Sequence, residues 1–292
     1  MPDSSYEKLN IQWYPGHMTK ARRMMEENVS LVDAVCEVLD ARIPNASGNP
    51  DIRHLSEGKP RLVVLNRCDL ADPSATALWS AWLEESGASV LETDARSGKG
   101  VNAFVPAVRR LLADKLRAYE EKGQAGRSLR IMILGIPNVG KSTLINKIAG
   151  RKAALASDRP GVTRGKQWIS LSEGIDLLDT PGILWPKFDS QEVGELLAVT
   201  NAIKTEVFDV ETLAANFMLR LRELYPDALR ERYKFVLSPD ANGYELLESA
   251  ALKRGFLISR GEADLNRMAT TLLKEYHEGK LGRLTLDRPS PQ

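Results

Sequence analysis

Short apolar runs occur throughout the first two thirds of the chain, separated by stretches with helical periodicity. Six of these runs have the length of buried strands, at 34–40, 61–66, 89–93, 129–135, 166–171 and 174–179. Three amphipathic stretches lie between some of them, at 73–87, 101–122 and 141–150. Strands that alternate with helices are typical of a mostly parallel sheet with flanking helices, so this part is predicted to be an α/β domain.

The pattern changes after about residue 186, where helical periodicity continues without strand-like runs. Four amphipathic stretches follow, at 190–204, 209–224, 241–255 and 261–279, and the last ends on Gly279 as a helix C-terminus does. We therefore predict an α/β domain over 1–186 and a small all-helical domain over 187–292. The terminal residues 287–292 are expected to fray.

Composition places the chain among ordinary globular proteins. Its 292 residues are 43% hydrophobic and 27% charged, with a formal net charge of +1, so no global positive field attracts nucleic acid. Cys36 and Cys68 form neither a disulfide framework nor a metal-ligand spacing. No run reaches the roughly 18 apolar residues of a membrane helix, and the N-terminus lacks a signal-peptide core. We expect a soluble cytoplasmic protein without membrane contact.

The motif "GIPNVGKS" at 135–142 follows an apolar run and opens an amphipathic stretch. This is the context of a phosphate-binding loop, in which glycines let backbone N–H groups turn towards the phosphates. Lys141 is predicted to reach the β and γ phosphates, and Ser142 to ligate Mg²⁺. The predicted nucleotide contacts of this loop are Pro137, Asn138, Val139, Gly140, Lys141, Ser142 and Thr143.

A second motif, "DTPG" at 179–182, ends a predicted strand. Beside a phosphate loop, Asp179 would hold the water shell of Mg²⁺ and Gly182 would offer a backbone N–H near the γ-phosphate. Thr163 is a candidate for the threonine that closes over Mg²⁺ when a γ-phosphate is present. Lys141, Thr163 and Gly182 are thus catalytic candidates. Thr-Pro-Gly also suits an ordinary turn, and Thr163 an ordinary surface loop, so the residues alone leave both alternatives open.

The motif "NRCDL" at 66–70 resembles the Asn-x-x-Asp element that reads guanine, although it precedes the phosphate loop. In open α/β sheets ligands bind at the carboxyl ends of the strands, so chain order can be permuted without moving the site. Asp69 would accept from the guanine N1–H and N2–H₂ groups, Asn66 would brace the base and the neighbouring loop, and the Arg67 stem would lie on the ring. The alternative is a strand-end turn that starts a helix at Asp72 and Pro73.

Six motifs follow one another along the chain, and their order as well as their residues is informative: "WYPGHMTKARR" (13–23), "DARIPNASGNP" (40–50), "NRCD", "GIPNVGKS", "PGVTRG" (160–165) and "DTPG". In these motifs the chain resembles the circularly permuted GTPases of the ribosome biogenesis GTPase A family. The resemblance implies a P-loop GTPase that uses GTP and Mg²⁺ and acts late in large ribosomal subunit assembly. It also implies a helical domain that contacts rRNA, and we expect a monomer off the ribosome. Arg67 stands where the family has Lys, and "TDAR" replaces the usual Ser-Ala pair, which leaves Ala95 rather than Asp94 as the expected base contact.

The residue that would orient the hydrolytic water is not obvious. Ile183 follows "DTPG" where many GTPases carry a Gln, and isoleucine can neither donate nor accept a hydrogen bond. His17, in "PGHM", resembles the family's N-terminal histidine proposed for this role and is a catalytic candidate, although it also suits a helix start or a packing position. Asn138 matches an Asn that ligates K⁺ in related GTPases, which makes K⁺ a candidate cofactor.

Two other functions stay open. The chain could be a permuted GTPase that acts on the small subunit, although the "WYPGHM" motif favours the large one. It could also be a GTP-gated RNA or protein adaptor with incidental hydrolysis, which Ile183 would suit. The part from residue 189 onwards has more acidic than basic residues, so RNA contact there would rely on a few placed side chains such as Lys253 and Arg254.

Overall fold

A computed structural model describes residues 6, 9, 16–124, 126–150, 167–171, 173–186, 188, 190–203, 209–236 and 238–289, with only the backbone of 16–18, 20 and 21. These residues form two compact units. The first contains the described residues from 16 to 186 together with 287–289, and the second contains the described residues from 188 to 286 together with 6 and 9. Within the part described, no helix is long and apolar enough to span a membrane.

The first unit is built on a six-stranded sheet with the order β3-β2-β1-β4-β6-β5. All neighbouring strands are parallel except β5, which lies antiparallel to β6 at one edge. The strands are β1 Ala34–Asp40, β2 Arg61–Asn66, β3 Ser89–Thr93, β4 Leu129–Leu134, β5 Gln167–Leu171 and β6 Ile175–Asp179. Every predicted strand is present to within one residue, and the predicted α/β class is confirmed.

Seven helices belong to this unit in its described residues: α1 Gly16–Asn28, α2 Pro44–Ser47, α3 Pro50–Leu55, α4 Pro73–Glu85, α5 Phe104–Leu111, α6 Ala113–Glu121 and α7 Lys141–Ile148. The single helix predicted over 101–122 is wrong, because a 3₁₀ turn precedes α5 and the chain leaves helical geometry at Leu112 (φ −108°, ψ 23°). Leu112 is buried, whereas α6 buries no residue. The break lets Leu112 stay in the core while Lys115 pairs with Asp33 at the surface.

Two apolar clusters hold the helices on the sheet. One joins α1 and α3 to β1, β4 and β6 and consists of Met25, Val32, Val35, Ile52, Met132, Leu134, Leu178 and Ile183. The other joins α4 to β1 and β2 and consists of Leu39, Ala41, Val63, Leu65, Ala71, Trp79, Leu83 and Ala88. Since the first cluster contains both Met25 and Ile183, the N-terminal helix and the segment after "DTPG" share one core.

The second unit consists of helices packed around α9, with α8, α10, α11 and α12 as its neighbours. Their bounds are α8 Gln191–Val199, α9 Val210–Leu224, α10 Pro226–Tyr233, α11 Gly243–Arg254 and α12 Leu265–His277. Gly243 is required where α11 begins, because a Cβ there would lie 2.3 Å from the Ala215 carbonyl oxygen of α9. The predicted helical region is confirmed, Gly279 has φ +71° as expected after a helix, and α10 was not predicted.

The start of the terminal segment is not frayed, contrary to expectation. The Asp287 carboxylate accepts a hydrogen bond from the Ala46 amide at 2.9 Å, and its carbonyl accepts one from Trp79 Nε1 at 3.4 Å. Arg288 lies 3.9 Å from Asp72. All of these residues belong to the first unit, so the chain returns to the α/β unit after its helical part. Residues 290–292 lie outside the described part.

Candidate nucleotide-binding site

The phosphate-loop motif connects β4 to α7, which begins at Lys141. Gly135 and Gly140 have φ of +150° and +102°, in the region that favours glycine. A Cβ at Gly135 would lie 2.5 Å from the Val38 carbonyl oxygen, and one at Gly140 would lie 2.3 Å from Asn66 Nδ2. The loop therefore needs glycine at both positions. It leads into the N-terminus of α7, where the first-turn N–H groups and the helix dipole favour a phosphate.

Lys141 lies beneath this loop and is only 7% exposed. Its ammonium group donates to the carbonyl oxygens of Gly135 at 3.0 Å and Ile136 at 2.9 Å. Burial lowers the pKa of Lys141 to about 8, with the Asp179 charge acting in the opposite direction. Its charge is therefore held inside the loop at a cost in solvation, where phosphate oxygens would be better partners than carbonyl dipoles.

Asp179 ends β6 and is 1% exposed. Neither of its carboxylate oxygens accepts a well-formed hydrogen bond from any described residue. Burial raises the pKa of Asp179, and the nearby Lys141 charge and Thr180 amide offset this only in part. A buried carboxylate with both oxygens available suits a hydrated divalent cation. Ser142, the other described Mg²⁺ candidate, is partly exposed in the first turn of α7, and Thr163 lies outside the described residues.

The "DTPG" turn packs directly against the phosphate loop. The Thr180 hydroxyl donates to the Ile133 carbonyl oxygen at 2.7 Å, and the Ile183 amide donates to the Gly135 carbonyl oxygen at 3.2 Å. Between them, a Cβ at Gly182 would lie 2.6 Å from the Pro137 nitrogen. The two motifs thus form one structure in which Gly182 is required for close approach.

Asn66 joins the guanine motif to the phosphate loop. Its Nδ2 donates to the Val139 carbonyl oxygen at 2.9 Å. Its Oδ1 accepts from the Thr93 hydroxyl at 3.1 Å and from the Ala95 amide at 3.0 Å. One buried side chain therefore connects three segments that lie far apart in sequence. The structure brings together the regions that the sequence presents in inverted order.

Arg67 extends this connection. It has φ +65°, and its guanidinium donates to the Asn138 carbonyl oxygen at 2.6 Å. Arg67 Nε also lies 3.8 Å from the Asp40 carboxylate, which forms a buried two-bond pair with Arg42 at 2.9 and 2.8 Å. Burial alone would raise the pKa of Asp40, but the charge and hydrogen bonds of Arg42 outweigh it and lower that pKa. The Asp40 carboxylate, held in place by Arg42, thus also faces the Arg67 guanidinium.

Asp69 and Asp94 have different surroundings. Asp69 is largely exposed. The part of it that is covered by protein raises its pKa, and the Asp94 charge raises it further. Asp94 accepts hydrogen bonds from the amides of Arg96 at 2.9 Å and Ser97 at 3.2 Å. Burial opposes ionisation of Asp94, but its hydrogen bonds to Ser97 and Arg96 lower its pKa. Asp94 is thus committed to its own turn, whereas Asp69 presents a carboxylate to solvent. The Ala95 amide is shared with Asn66.

His17 lies in the first turn of α1, and its side chain is outside the described part. Ile183 is buried and packs in the cluster that contains Met25. Its carbonyl oxygen accepts a hydrogen bond from Asn49 Nδ2 at 3.0 Å. Sequence reasoning missed Asn49, Asp40, Arg42, Thr93 and Thr180. Asp40, Arg42 and Asn49 lie in the motif "DARIPNASGNP", and Thr93 and Thr180 lie in "TDAR" and "DTPG", but these motifs indicated no partner for them. Asn followed by Pro is typical of a helix start, which indicates a cap for Asn49 rather than a contact with Ile183.

Comparison with known proteins agrees with this geometry. The model of the family described as "50S ribosome-binding GTPase" matches residues 130–226. The "Ribosome biogenesis GTPase A" of Priestia megaterium is 44% identical over 283 residues, covering 97% of this chain and 98% of the relative. The Thermotoga maritima protein of that name is 32% identical over 279 residues, covering 96% of this chain and 95% of the relative.

Solved structures also match. A crystal structure of GNP-bound YlqF from T. maritima is 27% identical with a TM-score of 0.64, covering 94% of this chain and all of that chain. A GDP-bound YlqF structure has the same identity and TM-score, covering 91% of this chain and 98% of that chain. Together with a phosphate loop, a guanine motif and a "DTPG" turn joined in one site, these similarities show that the chain belongs to the ribosome biogenesis GTPase A family of GTPases.

Proposed function

We propose that this GTPase binds and hydrolyses GTP as a nucleotide-switched factor in late assembly of the large ribosomal subunit. The bridge formed by Asn66 is the observation that supports it most directly. Because Asn66 binds Val139 on one side and Ala95 on the other, a base read at Asp69 and phosphates held at Lys141 would belong to one nucleotide. The names of the matched family and relatives supply the ribosomal partner.

The phosphate groups would lie against the loop of 137–143 and the ammonium of Lys141. The residues present fit Mg²⁺, since Asp179 keeps both carboxylate oxygens buried without well-formed hydrogen bonds in the described chain. Asp179 and Ser142 would hold the ion, with Thr163 joining them. When bound, Mg²⁺ would neutralise charge on the β and γ phosphate oxygens. Gly182 would direct its amide towards the γ-phosphate.

A histidine from the N-terminal helix would orient the attacking water. Ile183 cannot serve, because its side chain lies in the core. Helix α1, which carries His17, is anchored in the same core through Met25. His17 lies eight positions before Met25, or about 12 Å along the helix axis. His17 is therefore on an element fixed next to the "DTPG" segment, and its imidazole would hold the water or offset charge on the γ-phosphate.

Asn138 would ligate K⁺ beside the phosphates. It has φ +57°, and its carbonyl oxygen already accepts from Arg67, so the conformation of this residue is set by the guanine motif. Equal turnover in Na⁺ and K⁺ would argue against this assignment.

The helical unit would contact rRNA of the large-subunit precursor, with the protein acting as a cytoplasmic monomer off the ribosome. Arg254 is a weaker candidate for this contact than its sequence position implied, because it pairs with Glu275, as does Arg232. Burial opposes ionisation of Glu275, but hydrogen bonds from Arg232, Tyr233 and Arg254 lower its pKa. Arg254 thus has a structural partner, and the exposed Lys253 remains for RNA.

The proposal is tested by measuring GTP turnover alone, with large subunits and with small subunits. We expect stimulation by the large subunit, and we expect His17→Ala to lose about 100-fold of the stimulated rate while keeping nucleotide affinity. His54→Ala, a change at an exposed histidine, is the matched control.

Each other outcome identifies an alternative. Stimulation by small subunits only would favour the small-subunit function. Nucleotide-dependent subunit binding without stimulated turnover would favour an adaptor. Full stimulated turnover in His17→Ala would remove the histidine from the mechanism.

A further inference from the structure

A buried asparagine holds the backbone just after the "DTPG" turn. Asn49 is fully buried, and its Nδ2 donates to the Ile183 carbonyl oxygen at 3.0 Å. Its Oδ1 accepts from the Asp51 amide at 2.9 Å and so caps α3. One side chain therefore performs two separable tasks, one through its donor and one through its acceptor.

Two further hydrogen bonds attach the turn to β4 and the phosphate loop. Thr180 donates to Ile133, and the Ile183 amide donates to Gly135. Asn49 comes instead from the segment between β1 and α3. The Ile183 N–H is bound to the loop and the Ile183 carbonyl to Asn49, so the two hydrogen bonds restrain the backbone on both sides of Ile183, next to Gly182.

We propose that Asn49 is a positioning residue for GTP hydrolysis, acting through the Ile183 carbonyl on the Gly182 amide. This rests on the proposed role of Gly182 at the γ-phosphate. Gly182 already approaches Pro137 so closely that a Cβ would lie 2.6 Å from its nitrogen, so the turn has little room to readjust. Donors to a developing charge must be held within about 0.5 Å of their working position, and a lost Asn49 hydrogen bond would relax that restraint. GDP lacks the γ-phosphate, so its binding does not depend on this restraint.

The two tasks of Asn49 can be separated by substitution. Asn49→Asp has nearly the same shape and keeps an oxygen to cap α3, but it replaces the donor with an oxygen that repels the Ile183 carbonyl. Asn49→Ser keeps a capping oxygen without adding charge, and serves if Asn49→Asp is poorly folded. Asn45→Asp makes the same chemical change at an exposed residue of the same segment and is the matched control.

The measurements are affinities for GDP and for a non-hydrolysable GTP analogue, the melting temperature, and kcat and KM with large subunits. We expect Asn49→Asp to keep GDP affinity within about twofold, to reduce the preference for the analogue over GDP, and to lower kcat at least about tenfold. Asn45→Asp should match the unchanged protein.

Two results would overturn the proposal. One is an Asn49→Asp or Asn49→Ser protein with unaltered kcat and analogue preference. The other is an equal loss of affinity for both nucleotides together with a lower melting temperature, which would show a role in folding only. If the unchanged protein is not stimulated by large subunits, the proposed function fails, whereas the ratio of the two affinities still tests Asn49.

Discussion

The two sides of the nucleotide site are built on different principles. On the proposed guanine side, Asp69 faces solvent but the polar groups that support it are paired with protein groups: Asn66 uses both its donor and its acceptor in this way, and Arg67 binds the Asn138 carbonyl oxygen. On the phosphate side, Lys141 and Asp179 are buried charges. Burial lowers the pKa of Lys141 and raises the pKa of Asp179, which favours the neutral form of each.

This difference indicates that the two sides contribute differently to binding. A hydrogen-bonded frame keeps its shape without a ligand and can reject a wrong base, because the wrong edge leaves polar groups unpaired. Buried charges with poor partners destabilise the protein, and phosphates together with a cation offset that cost. We therefore expect the guanine side to determine the difference in affinity between GTP and ATP, and the phosphate side to supply the affinity that both nucleotides share.

The largest expected effect comes from Asp69, the carboxylate proposed to read the base. Asp69→Ala should lower GTP affinity by about 3 to 4 kcal/mol, roughly 100- to 1,000-fold, because two hydrogen bonds to a charged acceptor are lost. ATP affinity should not change, since adenine offers Asp69 no matching donors. Competition binding with both nucleotides measures the ratio directly.

A matched variant separates recognition from general damage. Asn in place of Asp69 presents an N–H donor, which fits the 2-carbonyl of xanthine better than the 2-amino group of guanine. Asp69→Asn should therefore prefer xanthosine triphosphate to GTP. Unchanged discrimination between GTP and ATP in Asp69→Ala would refute the assignment of the base site.

A smaller effect is expected from breaking the bridge between the two sides. Asn66→Ala leaves the Val139 carbonyl oxygen and the Ala95 amide without this partner. We expect a loss of about 1 to 3 kcal/mol in the free energy of unfolding, and roughly 10- to 100-fold weaker binding of GTP. Urea denaturation and nucleotide titration measure the two quantities.

Asn66→Asp refines this experiment, because it keeps the acceptor for Ala95 but turns the donor towards Val139 into a repelling oxygen. The Asn66→Asp protein should lose as much stability and GTP affinity as Asn66→Ala if the hydrogen bond to the phosphate loop makes the larger contribution. Reduced stability with unchanged nucleotide affinity would mean that Asn66 supports the fold without linking the two sides.

The sequence predicted those parts of the site that local patterns specify. Glycines before Lys141 indicate a loop that can wrap a phosphate, and the apolar runs show where each strand ends. The placement of Asn66, the phosphate loop and Asp179 at the carboxyl ends of β2, β4 and β6 therefore followed from pattern and topology. The inverted order of the motifs did not prevent this, because the site is defined by strand ends rather than by chain order.

The unpredicted parts depend on contacts that no local pattern reports. Asn49 meets Ile183, and Asp287 meets Ala46 at a separation of 241 residues, with nothing nearby in sequence to specify the partner. Helix α1 was not predicted because its sequence, "GHMTKARRMMEEN", is mostly polar and charged and has no continuous apolar stripe. Pairing of polar residues in the folded chain is what the sequence left open.

The smallest predicted effect concerns the phosphate side and follows from the Lys141 pKa of about 8, which lies below the ordinary value of 10.5. Phosphate oxygens favour the ammonium form, so bound nucleotide should raise this pKa. Below about pH 8 the lysine is already protonated and affinity should not vary for this reason. Above it, binding must take up a proton, so GTP affinity should fall as pH rises, by at most about tenfold per pH unit.

Calorimetry at pH 7 and pH 9 in buffers of different ionisation enthalpy would detect that proton. Lys141→Arg, which stays charged at both pH values, should lose the dependence even if it binds more weakly. Equal affinities without proton uptake in the unchanged protein would mean that Lys141 is fully charged before nucleotide arrives, and the two sides of the site would then be organised alike.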